Sequence, residues 1–252
     1  MSRRVLLEIC VASVDDALTA VEGGADRLEL NAALALGGLT PSAGLMVEVR
    51  IRVRVPVIAM VRPRAGGFCY SDSDVAVMQR DVEGHLAAGA AGTAFGILKA
   101  NGEIDRPRCR QLREVCGDKE AVFHRAFDLT PDPFAALAEL IDLGFTRVLT
   151  SGQASTAFEG RDLIAELIHR ATGRIELLPA AGIHRRNVAA LVIRTGCNQV
   201  HASARVSARD ESEGARPKVR FVTAQRPVAG SFERTDGAAV AGLQSALKEA
   251  IG

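Results

Sequence analysis

The feature that most constrains the fold is the repeated alternation of short apolar segments with stretches of helical periodicity. The apolar segments are near-continuous runs rich in Val, Ile and Leu, which is typical of parallel strands buried on both faces. The first two read VLLEIC and RLEL, and the last reads NQVHAS. About eight strand–helix pairs of this kind predict an α/β fold, a closed (β/α)8 barrel of the TIM type, and the length of 252 residues fits it.

Helix start and stop signals support this alternation. Ser13 precedes an apolar-periodic stretch that stops at Gly23–Gly24, and Thr40–Pro41 is predicted to open another helix. An open doubly wound sheet is the alternative, but no G-x-G-x-x-G pattern follows the first strand, which weakens its dinucleotide-binding version. No linker is visible, so we predict one domain over residues 1–252, with a mobile charged loop at 202–236.

Charge and composition argue against several classes of partner. The chain has 31 basic and 30 acidic residues, without the basic excess of a nucleic-acid-binding protein. No run of about 18 apolar residues predicts a membrane span, and the apolar run near the N-terminus is too short for a signal peptide. We therefore expect no nucleic-acid or membrane partner, a cytoplasmic location and reduced thiols at the five cysteines. The sequence leaves a homodimer open.

Polar side chains collect at the predicted carboxyl ends of the strands, which form the active-site face of such a barrel. Strand alternation places Glu8 and Cys10 on one face of the first strand. A carboxylate inside an apolar strand must be paired, because desolvating it alone costs several kcal/mol. The candidate catalytic residues at these ends are Glu8, Glu29, His124, Asp128 and His201.

The segment FHRAFD, at the end of the predicted fifth strand, contains a base, a cation and an acid within five positions: His124, Arg125 and Asp128. Continued strand alternation predicts His124 and Ala126 on one face, with Arg125 and Phe127 on the other. His124 is a candidate general acid or base, because the pKa of imidazole lies near working pH.

If the strands converge, Glu8, Glu29, His124 and His201 form one polar cluster at the barrel mouth. Two arginines after the third strand, Arg62 and Arg64, are then the expected partners of Glu8 and Glu29. The alternative is an internal ion-pair network that closes the barrel without binding a ligand.

An anion site is a second expectation at this face. The loops after strands seven and eight often hold phosphate in such barrels, and Arg185 and Arg205 could add charge there. A plain turn with solvated arginines is the alternative. The candidate substrate-binding residues are Arg62, Arg64, Arg125, Ser151 and Gly182.

Seven segments occur in an order that closely resembles the CutC family, which is described as copper homeostasis proteins. They are LLEIC, GADRLEL, GGLTPS, RPRAGGFCYSD, FHRAFD, RVLTSG and QVHASAR, spanning about Leu6 to Ala204. The resemblance implies a TIM-type barrel, a cytoplasmic protein and a role in copper binding. Cys10 is the candidate metal ligand because Cu(I) favours soft thiolates. Asn31 stands where members of the family usually have Cys, which weakens the case for copper as the cofactor.

Two functions therefore stay open. The first is a copper-binding homeostasis protein, as the resemblance implies. The second is a barrel enzyme or binder for a small anionic metabolite, phosphorylated or carboxylated, with a histidine acid/base and an arginine anion clamp. The expected partner is accordingly a small molecule or a metal ion.

Overall fold

The computed structural model describes residues 4–212 and 231–251. Within these residues eight parallel strands alternate with eight α-helices, which confirms the predicted (β/α)8 barrel. The strands are β1 Leu6–Val11, β2 Arg27–Leu30, β3 Val57–Met60, β4 Gly92–Phe95, β5 Glu120–Phe123, β6 Arg147–Thr150, β7 Glu176–Pro179 and β8 Gln199–Ala202. The helices are α1 Val14–Glu22, α2 Ala43–Arg52, α3 Asp72–Ala87, α4 Arg106–Cys116, α5 Pro133–Asp142, α6 Arg161–Ala171, α7 Val188–Thr195 and α8 Gly237–Ile251.

Backbone hydrogen bonds link the strands in the order β7-β6-β5-β4-β3-β2-β1-β8. The two end strands, β7 and β8, lie beside each other. A side-chain bond crosses this seam, where Gln199 Nε2 donates to Glu176 Oε2 at 3.0 Å. The barrel is therefore nearly closed, and the carboxyl ends of its strands meet on one face.

Apolar side chains pack on both surfaces of the barrel wall. Outward-facing residues such as Leu7 and Leu28 belong to a core that includes the surrounding helices. A separate inner cluster fills part of the barrel and consists of Ile58, Met60, Ala94, Val122, Leu149, Leu178 and Ala180. Burial on both faces explains why the strands read as continuous apolar runs.

Most helix boundaries follow from local capping. The Ser13 side chain accepts the Asp16 N–H at 3.0 Å and begins α1, as predicted. The predicted start of the second helix at Thr40–Pro41 is wrong: α2 begins at Ala43, because Ser42 accepts the Leu45 N–H at 3.1 Å. No helix in the described residues combines the length and apolar character needed to cross a membrane.

The region 202–236, predicted as a mobile charged loop, contains regular structure at both ends. Strands β9 (Arg205–Arg209) and β10 (Ser231–Thr235) pair antiparallel as a two-stranded ribbon. The Thr235 N–H donates to Asp16 Oδ1 at 2.6 Å, which attaches this ribbon to α1. Part of the predicted loop, residues 213–230, lies outside the described residues.

Candidate functional site

A cavity of about 310 Å³ lies among the carboxyl ends of the strands. Six of the eleven predicted site residues line it: Cys10, Glu29, Arg62, His124, Arg125 and His201. The other lining residues are Asn31, Leu34, Gly37, Met60, Phe68, Leu149 and Arg205. Side chains from distant parts of the chain therefore meet in one pocket.

Glu8 is buried beside this cavity and is held by its neighbours in the sheet. The parallel register places Glu8 opposite Arg27 on β2 and opposite His201 on β8. Arg27 forms an ion pair with one carboxylate oxygen of Glu8, and His201 Nδ1 lies 2.7 Å from the other. Burial raises the pKa of Glu8, but Arg27 and His201 outweigh it and hold this pKa well below the usual range. Glu8 is therefore ionised and paired.

Three side chains at the mouth could hold a metal ion. The ligand atoms of Cys10, Glu29 and His201 all lie within 4.8 Å of one another. Asn31 Nδ2 donates to Glu29 Oε2 at 2.9 Å and so supports the carboxylate of this group.

The charges of this group depend on each other. Burial raises the pKa of Glu29, and the nearby Glu8 carboxylate adds to that shift. Burial disfavours the charged ring of His201, but Glu29, the hydrogen bond to Cys10 and Glu8 outweigh it and raise the pKa of His201 well above its ordinary value. Without a metal, His201 is therefore an imidazolium between two carboxyl groups.

The predicted pairing of Glu8 and Glu29 with Arg62 and Arg64 is wrong. Arg62 instead donates to the backbone carbonyls of Leu36, Gly38 and Gly66. Arg64 lies outside the cavity, where it bonds Asp74 and stacks over the Tyr70 ring. The ion pair with Glu8 is formed instead by Arg27, which lies on the adjacent strand.

The predicted strand alternation through FHRAFD is also wrong, because β5 ends at Phe123 and a 3₁₀ helix spans Arg125–Leu129. His124 caps this helix, with Nδ1 accepting the Ala126 N–H at 3.3 Å. Its ring lines the cavity, as does Arg125, which alternation had placed on the opposite face. Burial, reinforced by the charge of Arg62, lowers the pKa of His124 to about 3, so the ring is neutral at pH 7.

Asp128 and Ser151 do not line the cavity and have a structural role. The Asp128 carboxylate accepts hydrogen bonds from Thr150 Oγ1 at 2.6 Å and from the Ser151 N–H at 3.0 Å. Arg125 binds the same two residues. Its Nε donates to the Asp128 carboxylate at 2.8 Å, and its Nη2 donates to Ser151 Oγ at 2.8 Å. These two residues fix the loop after β6 and orient Arg125.

The structure does not bring the residues of the two predicted phosphate loops together in one site. Gly182 lies outside the cavity, and its carbonyl accepts the Asn187 side-chain amide at 2.8 Å. Arg185 packs against Gly242 of α8. Only Arg205 reaches the pocket, where its Nη2 lies 3.7 Å from Cys10 Sγ.

Sequence reasoning missed Phe68 as a lining residue and Arg27 as the partner of Glu8. A usable signal existed for Arg27, since it shares a strand face with Glu29 and the first two strands pair directly. Gly96 is another missed signal, because a Cβ there would lie 2.7 Å from His124 Nδ1. This glycine makes room for the imidazole ring.

The fold and the pocket define a parallel (β/α)8-barrel protein with a buried, charged site at the carboxyl ends of its strands. Residues 5–206 match the sequence model of the CutC family. The chain therefore belongs to the CutC family.

Relatives with known names cover most of the chain. A family protein CutC from Treponema denticola is 45% identical over 246 residues, covering 98% of each chain. The copper homeostasis protein cutC homolog of Homo sapiens is 47% identical over 205 residues, covering 81% of this chain and 75% of the human protein.

Solved structures agree on the fold. CutC from Streptococcus agalactiae superposes with a TM-score of 0.75 at 31% identity, covering 78% of this chain and 97% of that chain. Thiamine phosphate pyrophosphorylase from Pyrococcus furiosus has a TM-score of 0.58 at 13% identity, covering 100% of this chain and 98% of that one, and shares the fold alone.

Proposed function

We propose that this chain is a copper homeostasis protein that binds Cu(I) through Cys10 and His201, with Glu29 beside them. The observation that carries the proposal is the convergence of the three ligand atoms within 4.8 Å. The name of the human relative supports the cellular role. A cytoplasmic location fits the proposal, since the five cysteines are thiols and not disulfides.

The donor set suits copper chemically. A thiolate is the ligand that Cu(I) prefers, and imidazole nitrogen also suits copper. His201 Nδ1 is held by Glu8 at 2.7 Å, which leaves Nε2 to face the metal. A carboxylate that bonds the far nitrogen of a ligating histidine fixes the tautomer and raises the basicity of the ligand. Glu8 and Arg27 would therefore support the metal site from behind.

Metal binding at this group is coupled to proton release. The His201 ring must lose a proton before Nε2 can bind a metal, and the Cys10 thiol must lose one as well. Glu8 and Glu29 hold the His201 proton, because they raise the pKa of that ring. We therefore expect copper affinity to rise steeply with pH across the neutral range.

Competition against the Cu(I) chelator bicinchoninate under anaerobic conditions tests the proposal. Wild-type protein should bind one Cu(I), and Cys10→Ser and His201→Gln should each lose it. Cys69→Ser is the matched control, because Cys69 is an exposed thiol that does not line the cavity. No copper bound by the wild-type protein, or equal retention by Cys10→Ser and Cys69→Ser, would contradict the proposal.

A further inference from the structure

Arg62 is a buried cation without a carboxylate partner. Its side chain lines the cavity and the residue is only 7% exposed. Its guanidinium donates to backbone carbonyls and lies beside the Tyr70 hydroxyl, and within residues 4–212 and 231–251 it forms no ion pair with an Asp or Glu. Its Nε is buried and has no hydrogen-bond partner in the described chain. A buried guanidinium in this state favours an anion as neighbour.

The other arginines of the cavity are already neutralised. Arg125 is paired with Asp128 at 2.8 Å, and Arg205 is paired with Glu233 at 2.9 Å. Among the arginines lining the cavity in the described residues, Arg62 alone therefore lacks an acidic partner. The excess positive charge of the pocket is concentrated at this one side chain.

His124 adds a neutral donor next to this cation. Its Nδ1 accepts the Ala126 N–H, which places the ring proton on Nε2. That Nε2 is buried in a residue only 3% exposed and has no hydrogen-bond partner in the described chain. His124 stays neutral at pH 7, because its pKa is lowered to about 3. An unpaired N–H inside a protein costs free energy unless a ligand or water accepts it.

The Arg62 and His124 side chains both lie against one aromatic ring. The Arg62 guanidinium carbon is 5.2 Å from the centre of the Phe68 ring, and the His124 ring centre is 4.8 Å from it. The apolar residues Leu34, Met60 and Leu149 line the same cavity. A ligand in this part of the cavity would contact the charged Arg62 side chain at one end and aliphatic side chains at the other.

We propose that the Arg62–His124 end of the cavity binds the carboxylate of a small organic acid. Arg62 supplies the positive charge for this carboxylate, and His124 is the neutral hydrogen-bond donor beside it. The cavity volume of about 310 Å³ lies at the lower end of the range for small-molecule pockets, which fits a small organic acid.

The same donors fit phosphate poorly. Phosphate sites typically use several free backbone N–H groups, often at a helix N-terminus. One unpaired cation and one neutral histidine match the single charge of a carboxylate better than the double charge of a phosphate. This site shares the cavity of the proposed copper ligands but uses none of them, and it does not rest on the proposed copper function.

Saturation-transfer NMR on metal-free, full-length protein tests the inference with acetate as the probe. Titrations at constant ionic strength and pH should show saturable binding of acetate, and neutral acetamide should bind at least about tenfold more weakly. Inorganic phosphate, added as a competitor, should displace acetate weakly. Strong displacement by phosphate would overturn the assignment to a carboxylate, and no saturable acetate signal would overturn the site.

Variants locate the binding. Arg62→Met and His124→Asn should each weaken acetate binding by about tenfold or more. His124→Asn keeps an oxygen that can cap the 3₁₀ helix and removes the ring donor, so it provides the test if Arg62→Met fails to fold. Arg64→Met is the matched control, because Arg64 lies outside the cavity and should leave acetate binding unchanged. Equal binding by His124→Asn and Arg64→Met would refute the proposed site.

Discussion

Buried charges in this barrel are held by partners on adjacent strands. Glu8 on β1 bonds Arg27 on β2 and His201 on β8, and each pair is directly opposite in the sheet register. The predictions for Glu8 succeeded in placing it inside the barrel, because an acid in an apolar strand has to be paired. The predicted partner of Glu8 was wrong, because the sequence shows which residues are charged but not how far apart they lie in the fold.

Removing the cation of this pair should be strongly destabilising. Arg27→Met leaves Glu8 buried and without its ion-pair partner, so we expect a loss of about 3–5 kcal/mol in the free energy of unfolding. Arg52→Met removes an exposed partner of Glu48 and should cost less than about 1 kcal/mol. Urea unfolding of both variants measures the difference, and equal losses would contradict the buried role of Arg27.

The protonation of His201 should make stability depend on pH in metal-free protein. The folded-state pKa lies well above 6.5, so the stabilisation is complete below the unfolded-state value of about 6.5 and is lost as pH rises through the folded-state pKa. We expect the free energy of unfolding to fall as the pH rises above about 6.5, and to fall more steeply in the wild type than in His201→Gln. Denaturation at several pH values measures this, and parallel pH profiles would exclude a raised pKa at His201.

At the scale of elements, strand ends decide which residues meet in the pocket. Apolar runs predicted all eight barrel strands, because each strand is buried on both faces. The same pattern could not show that β5 stops at Phe123, since hydrophobicity does not reveal where backbone pairing ends. His124 caps the following turn instead of continuing the strand, and this brings Arg125 to the same cavity.

The turn after β5 is tied to the end of β6 by one carboxylate. Asp128→Ala should leave the buried donors of Thr150 and Ser151 unpaired and cost about 2–4 kcal/mol in the free energy of unfolding. Hydrogen exchange of the Ser151 and Gln153 amides should accelerate, because both donate to Asp128. Asp132→Ala removes only an exposed helix cap and serves as the control, with an expected loss of about 1 kcal/mol. Unchanged exchange at Ser151 would contradict this role of Asp128.

At the scale of the whole molecule, polar bonds inside the barrel close the seam between β7 and β8. Gln199 accepts from Arg27 Nη2 at 2.7 Å and donates to Glu176 at 3.0 Å, and Arg147 completes the chain of bonds through Glu176. The sequence predicted the barrel and left an internal ion-pair network open as an alternative, but it did not predict these partners. The required residues lie far apart in the chain, and only closure of the sheet brings them together.

Replacing the amide at the seam should weaken the whole barrel. Gln199→Leu removes both bonds and leaves Arg27 and Glu176 with fewer partners, so we expect a loss of about 2–4 kcal/mol in the free energy of unfolding. The double variant with Arg27→Met should lose less unfolding free energy than the sum of the two single losses, because both residues belong to one network. Additive losses in urea unfolding would show that the seam and the Glu8 pair are independent.

Side chains from distant strands converge at the barrel mouth, and we propose that three of them, Cys10, Glu29 and His201, form one copper site. Copper K-edge X-ray absorption of Cu(I)-loaded protein tests it most directly. We expect a first shell with one sulfur and at least one nitrogen or oxygen, with the sulfur lost in Cys10→Ser and kept in Cys69→Ser. A first shell without sulfur, or one in which the sulfur survives Cys10→Ser, would contradict it.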